Sequence, residues 1–232
     1  MASTATGCLA EKSSADVIIQ IAKPVLRQKK LFLVTKRVFD IVCSFFGLLI
    51  LAIPMMIIAL IITIDSPGAP IFKQERLGIN GKPFMIYKFR SMRLDAEENG
   101  PQWADEQDPR CTHFGQILRR TRLDELPQLY NILRGDMSFV GPRPERAYFY
   151  REFEKYIPGF SNRLIVTPGL TGYAQVYGKY NTTPYDKLKL DLTYIENYSV
   201  WMDIKILFLT FKILFQKENT EGVDQDQTTA IK

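Results

Sequence analysis

IVCSFFGLLILAIPMMIIALIITI, residues Ile41 to Ile64, runs for 24 residues without a charged side chain. As a helix rising about 1.5 Å per residue it would extend roughly 36 Å, enough for a hydrocarbon core of about 30 Å. A charge-free run of this length is rare in a soluble core helix. Pro54 stands near its middle. A proline inside a helix removes one backbone hydrogen bond and clashes with the preceding turn, so it bends the helix. The arms Ile41–Ile53 and Pro54–Ile64 are each about one leaflet deep.

Charge on both flanks bears on topology. Lys23, Arg27, Lys29, Lys30, Lys36 and Arg37 precede the run; Lys73, Arg76, Lys82, Lys88, Arg90 and Arg93 follow it. Basic flanks stay on the cytoplasmic side, and here both are basic. The pattern predicts a helix that enters the inner leaflet, turns at Pro54 and leaves by the same face. A single span with a proline kink is the alternative, since membrane helices tolerate proline.

The rest of the chain is ordinary in composition. With 232 residues there is room for one domain plus appendages. Hydrophobic content of 46% and charged content of 24% are globular values, so the membrane character is local. A net charge of +5 suits an anionic membrane surface or an anionic substrate. No helix-turn-helix, zinc-finger or RNA-binding signature is present, so no nucleic-acid partner is expected. Cys8, Cys43 and Cys111 are odd in number and far apart, and read as free thiols. The apolar run starts too late and is too long for a signal peptide. His113 is the one histidine. It stands at an expected helix start, so acid–base or nucleophilic chemistry falls to carboxylates.

Met1 to Ala15 is small and polar, and disorder is expected. Asp16 to Leu33 admits a short amphipathic helix whose basic side suits headgroups. Ala69–Arg76 and Phe84–Met92 alternate like strands about an Asn80-Gly81 turn, which predicts a hairpin. Its second strand carries Lys88, Arg90 and Arg93, either a solvated face or a phosphate-facing set. Asp95 to Asp108 is acidic and turn-rich but lacks calcium-loop spacing, and is expected as a mobile loop over a site entrance. Val166 to Gly178 reads as a turn followed by a short strand. Val200 to Phe215 is apolar but contains Asp203, Lys205 and Lys212. It is expected to lie in the interface, lysines reaching headgroups, or else to be a core helix. The polar tail from Gln216 is expected to be disordered.

Two stretches carry the chemistry. Thr112–Thr121 reads as a helix. Leu126, Leu129, Tyr130 and Leu133 then fall on one helical face, and Pro127 is tolerable only in a first turn. A helix beginning near Asp124 and ending at Gly135 is therefore predicted. That placement would put Asp124 and Glu125 at a helix N-terminus, where the dipole keeps a carboxylate ionised. With Arg119, Arg120 and Arg122 just upstream, Asp124 is either a cap with surface ion pairs or a nucleophile beside an anion site. Gly141-Pro142-Arg143-Pro144 favours the second reading. Two prolines stiffen the loop, and arginine presents a planar fork suited to phosphate.

Several long motifs in order resemble the bacterial sugar transferase family, the monotopic phosphoglycosyl transferases. They are KRVFDIV, IFKQERLGINGKPFMIYKFRSM, RRTRLDELPQLYNILRGDMSFVGPRPE, TPGLTGYAQVYG and YIENYSVWMDIKILFLTFKIL, from about Lys36 to Phe215. The resemblance implies an α/β fold, mainly helical with a short β-hairpin. It comprises an N-terminal re-entrant membrane helix, interfacial amphipathic helices and a small cytoplasmic catalytic domain. The divisions expected are 1–35, an N-terminal segment; 36–66, the membrane helix broken at Pro54; 67–216, the catalytic domain; and 217–232, a tail. No large additional membrane region is visible, so the minimal form is expected.

The resemblance further implies that Asp124 and Glu125 do the chemistry with Mg2+, Asp124 being the metal ligand. Asp124 attacks the β-phosphate of a UDP-sugar and releases UMP. Polyprenol (undecaprenyl) phosphate then takes the phosphosugar, the first membrane step of surface-glycan assembly. Arg119 and Arg143 fall on the family's basic positions, and Lys88 and Arg90 lie in its K-F-[RK]-[ST]-M segment; all four are expected to bind substrate phosphate. The expected location is the cytoplasmic face of the bacterial inner membrane, with inner-leaflet lipids as partners; a homo-oligomer stays open. Two other readings are kept: a non-enzymatic membrane-surface or scaffold protein, and a direct glycosyltransferase that would release UDP.

Overall fold

A computed structural model describes residues 24, 30–96, 98, 108–178 and 182–214. The apolar run lies within one helix, α1 (Lys30–Asp65), 36 residues long with Pro54 inside it. Its most apolar window has mean hydropathy 3.0 and is only 11% buried. Leu49, Ile50, Ile53, Met56, Leu60 and Ile64 all point outward. So large an uncovered apolar surface belongs against lipid, not in a soluble core. Because α1 begins at Lys30, the boundary expected at 35/36 falls within it. Cys8, the N-terminal segment up to residue 29 except residue 24, most of the acidic loop and the tail lie outside the described residues.

One stripe of α1 faces protein. Lys36, Asp40, Ser44, Ile58 and Ile62 are buried along it. Leu48 and Leu51 pack with Ile86, Leu129, Ile132 and Met137. Met55, Ala59, Ile58 and Ile62 pack with Phe89 and Leu118. The spacing is three to four residues throughout, the repeat of one helical face. Residues on both sides of Pro54 therefore rest on the same protein unit.

That unit begins with a hairpin. β1 (Ile71–Leu77) and β2 (Pro83–Phe89) pair antiparallel, Ile71 opposite Phe89. Asn80 and Gly81 turn it with left-handed φ of 55° and 74°, the reason an Asn-Gly pair sits there. The outer edge of β2 meets a side chain instead of a third strand. Asn131 donates to the Met85 carbonyl at 2.7 Å and accepts from Tyr87 N at 3.0 Å.

The helices depart from expectation at one point that matters. α2 (His113–Arg120) starts as predicted, with Thr112 Oγ1 accepting from Gly115 N. α3 runs only over Gln128–Arg134, with Pro127 as N-cap and Gly135 ending it at φ 96°. Leu123–Glu125 forms a separate 3-10 turn, entered through Arg122 at φ 58°. Asp124 and Glu125 thus stand before α3 and do not open it. Pro127 lacks an N–H, which favours starting the helix there and not three residues earlier.

A second small sheet, not expected, pairs β3 (Ser138–Val140) in parallel with β4 (Gly169–Thr171). α4 (Ala147–Glu154), a 3-10 segment (Phe160–Ile165), α5 (Tyr173–Tyr177), α6 (Pro184–Glu196) and α7 (Val200–Leu214) complete the described chain. Tyr173–Tyr177, expected to continue a strand, is helical. Val140, Tyr150, Phe153, Phe160, Leu188, Tyr194, Ile195 and Ile206 form the main core. On α7, Trp201, Ile204, Phe208 and Phe211 are exposed, whereas Asp203 and Ile206 are buried.

Asp203 explains why a charge sits in so apolar a helix. Lys36 Nζ lies 2.6 Å from Asp203 Oδ2 and donates to the Val140 carbonyl at 2.9 Å. Tyr194 Oη donates to Asp203 Oδ1 at 2.7 Å. Each charge in this joint between α1, α7 and β3 has a partner. Removing one half of a buried pair strands the other, at a cost of about 3–5 kcal/mol. Lys36→Met should lower unfolding stability in detergent by that amount. The double variant Lys36→Met/Asp203→Leu should recover most of it, read by chemical denaturation.

Candidate active site

Asp124 and Glu125 are both buried although both are carboxylates. The turn that carries them forces this. Left-handed Arg122 redirects the backbone, and Glu125 N bonds back to the Arg122 carbonyl at 3.2 Å. A non-glycine residue at positive φ is held there by its surroundings, a common mark of functional loops.

Two cations from different elements converge on Glu125. Arg143 Nη2 lies 2.7 Å and Lys88 Nζ 3.1 Å from the same oxygen, Oε1. Lys88 comes from β2, and Arg143 from the loop after β3. Burial pushes the Glu125 pKa up, but the Arg143 and Lys88 charges outweigh it and hold the carboxyl well below its usual range. Asp124 goes the other way. Burial raises its pKa to about 6, opposed by Lys88, reinforced by Glu125 and opposed again by Arg143 and Arg122. Asp124 Oδ1 is buried and has no hydrogen-bond partner among the described residues. Of two adjacent carboxylates, one is locked in ion pairs and one keeps an oxygen in reserve. Asp124 is therefore not held ionised by a helix end, as the sequence suggested; it is buried ahead of the helix.

The Arg143 loop is fixed from behind. Gly141 N donates to the Thr171 carbonyl and Gly169 N to the Pro142 carbonyl, each at 2.9 Å. A Cβ on Gly141 would strike the Thr167 carbonyl, and one on Gly169 would strike Gly141 N, so this seam requires glycine. Arg163 Nη2 donates to the Arg143 carbonyl at 3.0 Å and lies 2.6 Å from Asp191 Oδ2. Sequence reasoning missed Arg163, Asp191 and Asn131; none stands in a motif that names a partner.

Not every expected residue joins the cluster. Arg90 is buried and donates to the Ser66 and Pro67 carbonyls at 2.6 and 3.0 Å, tying the exit of α1 to β2. Arg119 Nη1 lies 2.9 Å from Cys111 Sγ and 3.9 Å from Asp108 Oδ2. His113 is exposed on α2. Cys43 and Cys111 are free thiols. Among the described residues no three His, Cys, Asp or Glu side chains cluster as a metal cage.

A family model described as bacterial sugar transferase matches residues 31–217. The UDP-N-acetylgalactosamine-undecaprenyl-phosphate N-acetylgalactosaminephosphotransferase of Aeromonas hydrophila is 41% identical over 182 residues, 77% of this chain and 43% of its own. The UDP-glucose:undecaprenyl-phosphate glucose-1-phosphate transferase of Escherichia coli is 44% identical over 180 residues, 75% of this chain and 39% of its own. The exopolysaccharide production protein PSS of Rhizobium leguminosarum is 43% identical over 187 residues, 77% of this chain and 94% of its own. The chain thus spans about two fifths of the first two relatives and nearly all of the third. Matched along nearly all of its described length, the chain belongs to the bacterial sugar transferase family.

Proposed function

We propose that this chain transfers a sugar 1-phosphate from a UDP-sugar to undecaprenyl phosphate, through a phosphosugar carried on Asp124. The observation that carries this reading is the buried Oδ1 of Asp124, without a partner among the described residues, beside a Glu125 clamped by Lys88 and Arg143. A carboxylate oxygen of Asp124 bonds to the β-phosphorus as the bond to the UMP oxygen breaks, and UMP leaves with the electron pair. An oxygen of the lipid phosphate then attacks the same phosphorus. The carboxylate departs free, and a polyprenyl-diphosphate sugar remains. Splitting the transfer in this way follows the logic of covalent catalysis. Lys88 and Arg143 counter phosphate charge as a carboxylate approaches it.

Mg2+ fits these residues. Asp124 has a carboxylate oxygen without a partner among the described residues, and magnesium is commonly bound by one or two carboxylates together with substrate phosphates. Asp124 would hold it, and the ion would supply charge neutralisation at the phosphates.

The acceptor is lipid-borne, so the site belongs at headgroup level. Support comes from α1, whose residues on either side of Pro54 pack on one unit. A helix that crossed the bilayer would carry one end away from that unit. The exposed apolar face of α7 extends the lipid-facing surface. We place the catalytic region on the cytoplasmic face, with α1 entering and leaving the inner leaflet. Single cysteines at Lys30 and Lys82 in a cysteine-free background should both react from the cytoplasmic side with an impermeant reagent. Reaction from opposite sides would overturn this topology.

With Mg2+ and undecaprenyl phosphate, a UDP-sugar panel including UDP-glucose and UDP-N-acetylgalactosamine should yield UMP. Asp124→Asn should abolish that release; release of UDP instead would identify direct glycosyl transfer. In the absence of Mg2+, the burial of Asp124 makes its contribution to stability pH-dependent. A carboxyl with a raised folded pKa binds its proton in the fold after the unfolded chain has lost it. The stability contributed by Asp124 is therefore lost as pH rises from about 4 to about 6 and is flat above. Asp124→Asn should then raise stability at pH 7, by on the order of 1–3 kcal/mol in denaturant titrations. A loss of stability would overturn the reading that burial leaves the Asp124 carboxylate destabilised.

A further inference from the structure

Beside the Asp124–Glu125 pair lies a small, open cleft of about 80 Å3 lined by Arg76, Lys88, Gln128, Arg143 and Glu145, with Ile86 and Pro144. It shares Lys88 and Arg143 with the cluster on Glu125. Three cations and one acid line it, and the acid already sits 3.1 Å from Arg76. The cleft is therefore built for an anion.

Gln128 is the odd member. It is 2% exposed, yet its Nε2 has no hydrogen-bond partner among the described residues. A buried amide N–H without an acceptor is costly, and native folds rarely keep one without a reason. Structural duty does not supply the reason. Asn131, one turn further along α3, spends its amide on the β2 backbone at 2.7 and 3.0 Å. Gln128 has no such bond, although it stands in the first turn of the same helix and lines the cleft.

We propose that Gln128 Nε2 donates a hydrogen bond to a phosphate oxygen of a bound substrate. The cleft is thereby a phosphate subsite in which Lys88 and Arg143 supply charge and Gln128 supplies a directed, uncharged donor. Because a neutral amide cannot form an ion pair with Glu125, it stays available while the two cations are engaged. This assignment rests on the transfer reaction proposed above and adds a substrate contact to it. Two phosphates visit such a site, the nucleotide donor's and the lipid acceptor's, and the chemistry at Gln128 is common to both.

Gln128→Leu removes the amide and keeps the bulk. Losing one hydrogen bond to a charged acceptor should raise the KM for one phosphate substrate about tenfold. Elevation for the UDP-sugar assigns the contact to the donor; elevation for undecaprenyl phosphate assigns it to the acceptor. The thermal midpoint should hold or rise, since an unsatisfied buried amide is gone; a residue with a purely structural role would lower the midpoint and leave both KM values alone. Gln128→Glu, of the same shape but anionic, should lose more, and serves where the leucine variant does not fold. Unchanged KM values for both phosphates in a folded variant overturn the proposal. A wild-type protein that releases no UMP overturns the transfer reaction instead. Thermal stabilisation by UDP, present in wild type and lost in Gln128→Leu, tests the contact separately from turnover; equal stabilisation of both, with lipid KM also unchanged, counts against it.

Discussion

The Lys36 ammonium joins the lipid-facing helix to the rest of the molecule. It is buried, paired with Asp203 on α7, and bonded to the carbonyl of Val140 at the end of β3. The next residues are Gly141, Pro142 and Arg143, and Arg143 reaches Glu125. A membrane-facing element is thus a few covalent and polar links from the buried carboxylates Asp124 and Glu125. Low dielectric makes such a joint geometrically demanding, because a small displacement strands a charge. Asp40 adds a second tie nearby, accepting from Phe139 N at 3.0 Å.

Neighbouring carboxylates in one turn have been given opposite characters by what surrounds them. Glu125 collects two cations on one oxygen, and their attraction overcomes its burial. For Asp124 burial dominates, and no donor among the described residues satisfies Oδ1. Pushing adjacent titratable groups apart in this way is how a site separates a charge-holding role from a reacting one. The ion pairs also give Lys88 and Arg143 a fixed place, which would reduce the ordering needed to bind the phosphate proposed for this site.

Much of the second layer is rigid by construction. Glycine backbones at 141 and 169 touch where no side chain fits. Arg163 and Asp191 are almost fully buried together, and Arg163 also stacks 5.1 Å from the Phe160 ring centroid. A buried pair of this kind adds little net stability, but one of its donors fixes the Arg143 carbonyl. Polar groups buried at such cost commonly serve geometry.

The amino-acid order alone was enough for several local elements. A charge-free apolar run, an Asn-Gly turn, the helix near Thr112 and the Gly135 stop are read from one or a few neighbouring residues, because chain-local sterics and hydrophobicity decide them. The Asp-Glu pair, Lys88 and Arg143 stood out for the same reason, as unusual chemistry at short range. Tertiary structure decided the rest. It turned Arg90 to the backbone leaving α1, set Arg119 beside Cys111, moved Asp124 out of the helix start, and gave Asp203 its partner 167 residues away. Partnership and burial are properties of distance in space, and a carboxyl's charge state follows from them. No periodicity along the chain records which lysine will meet which aspartate.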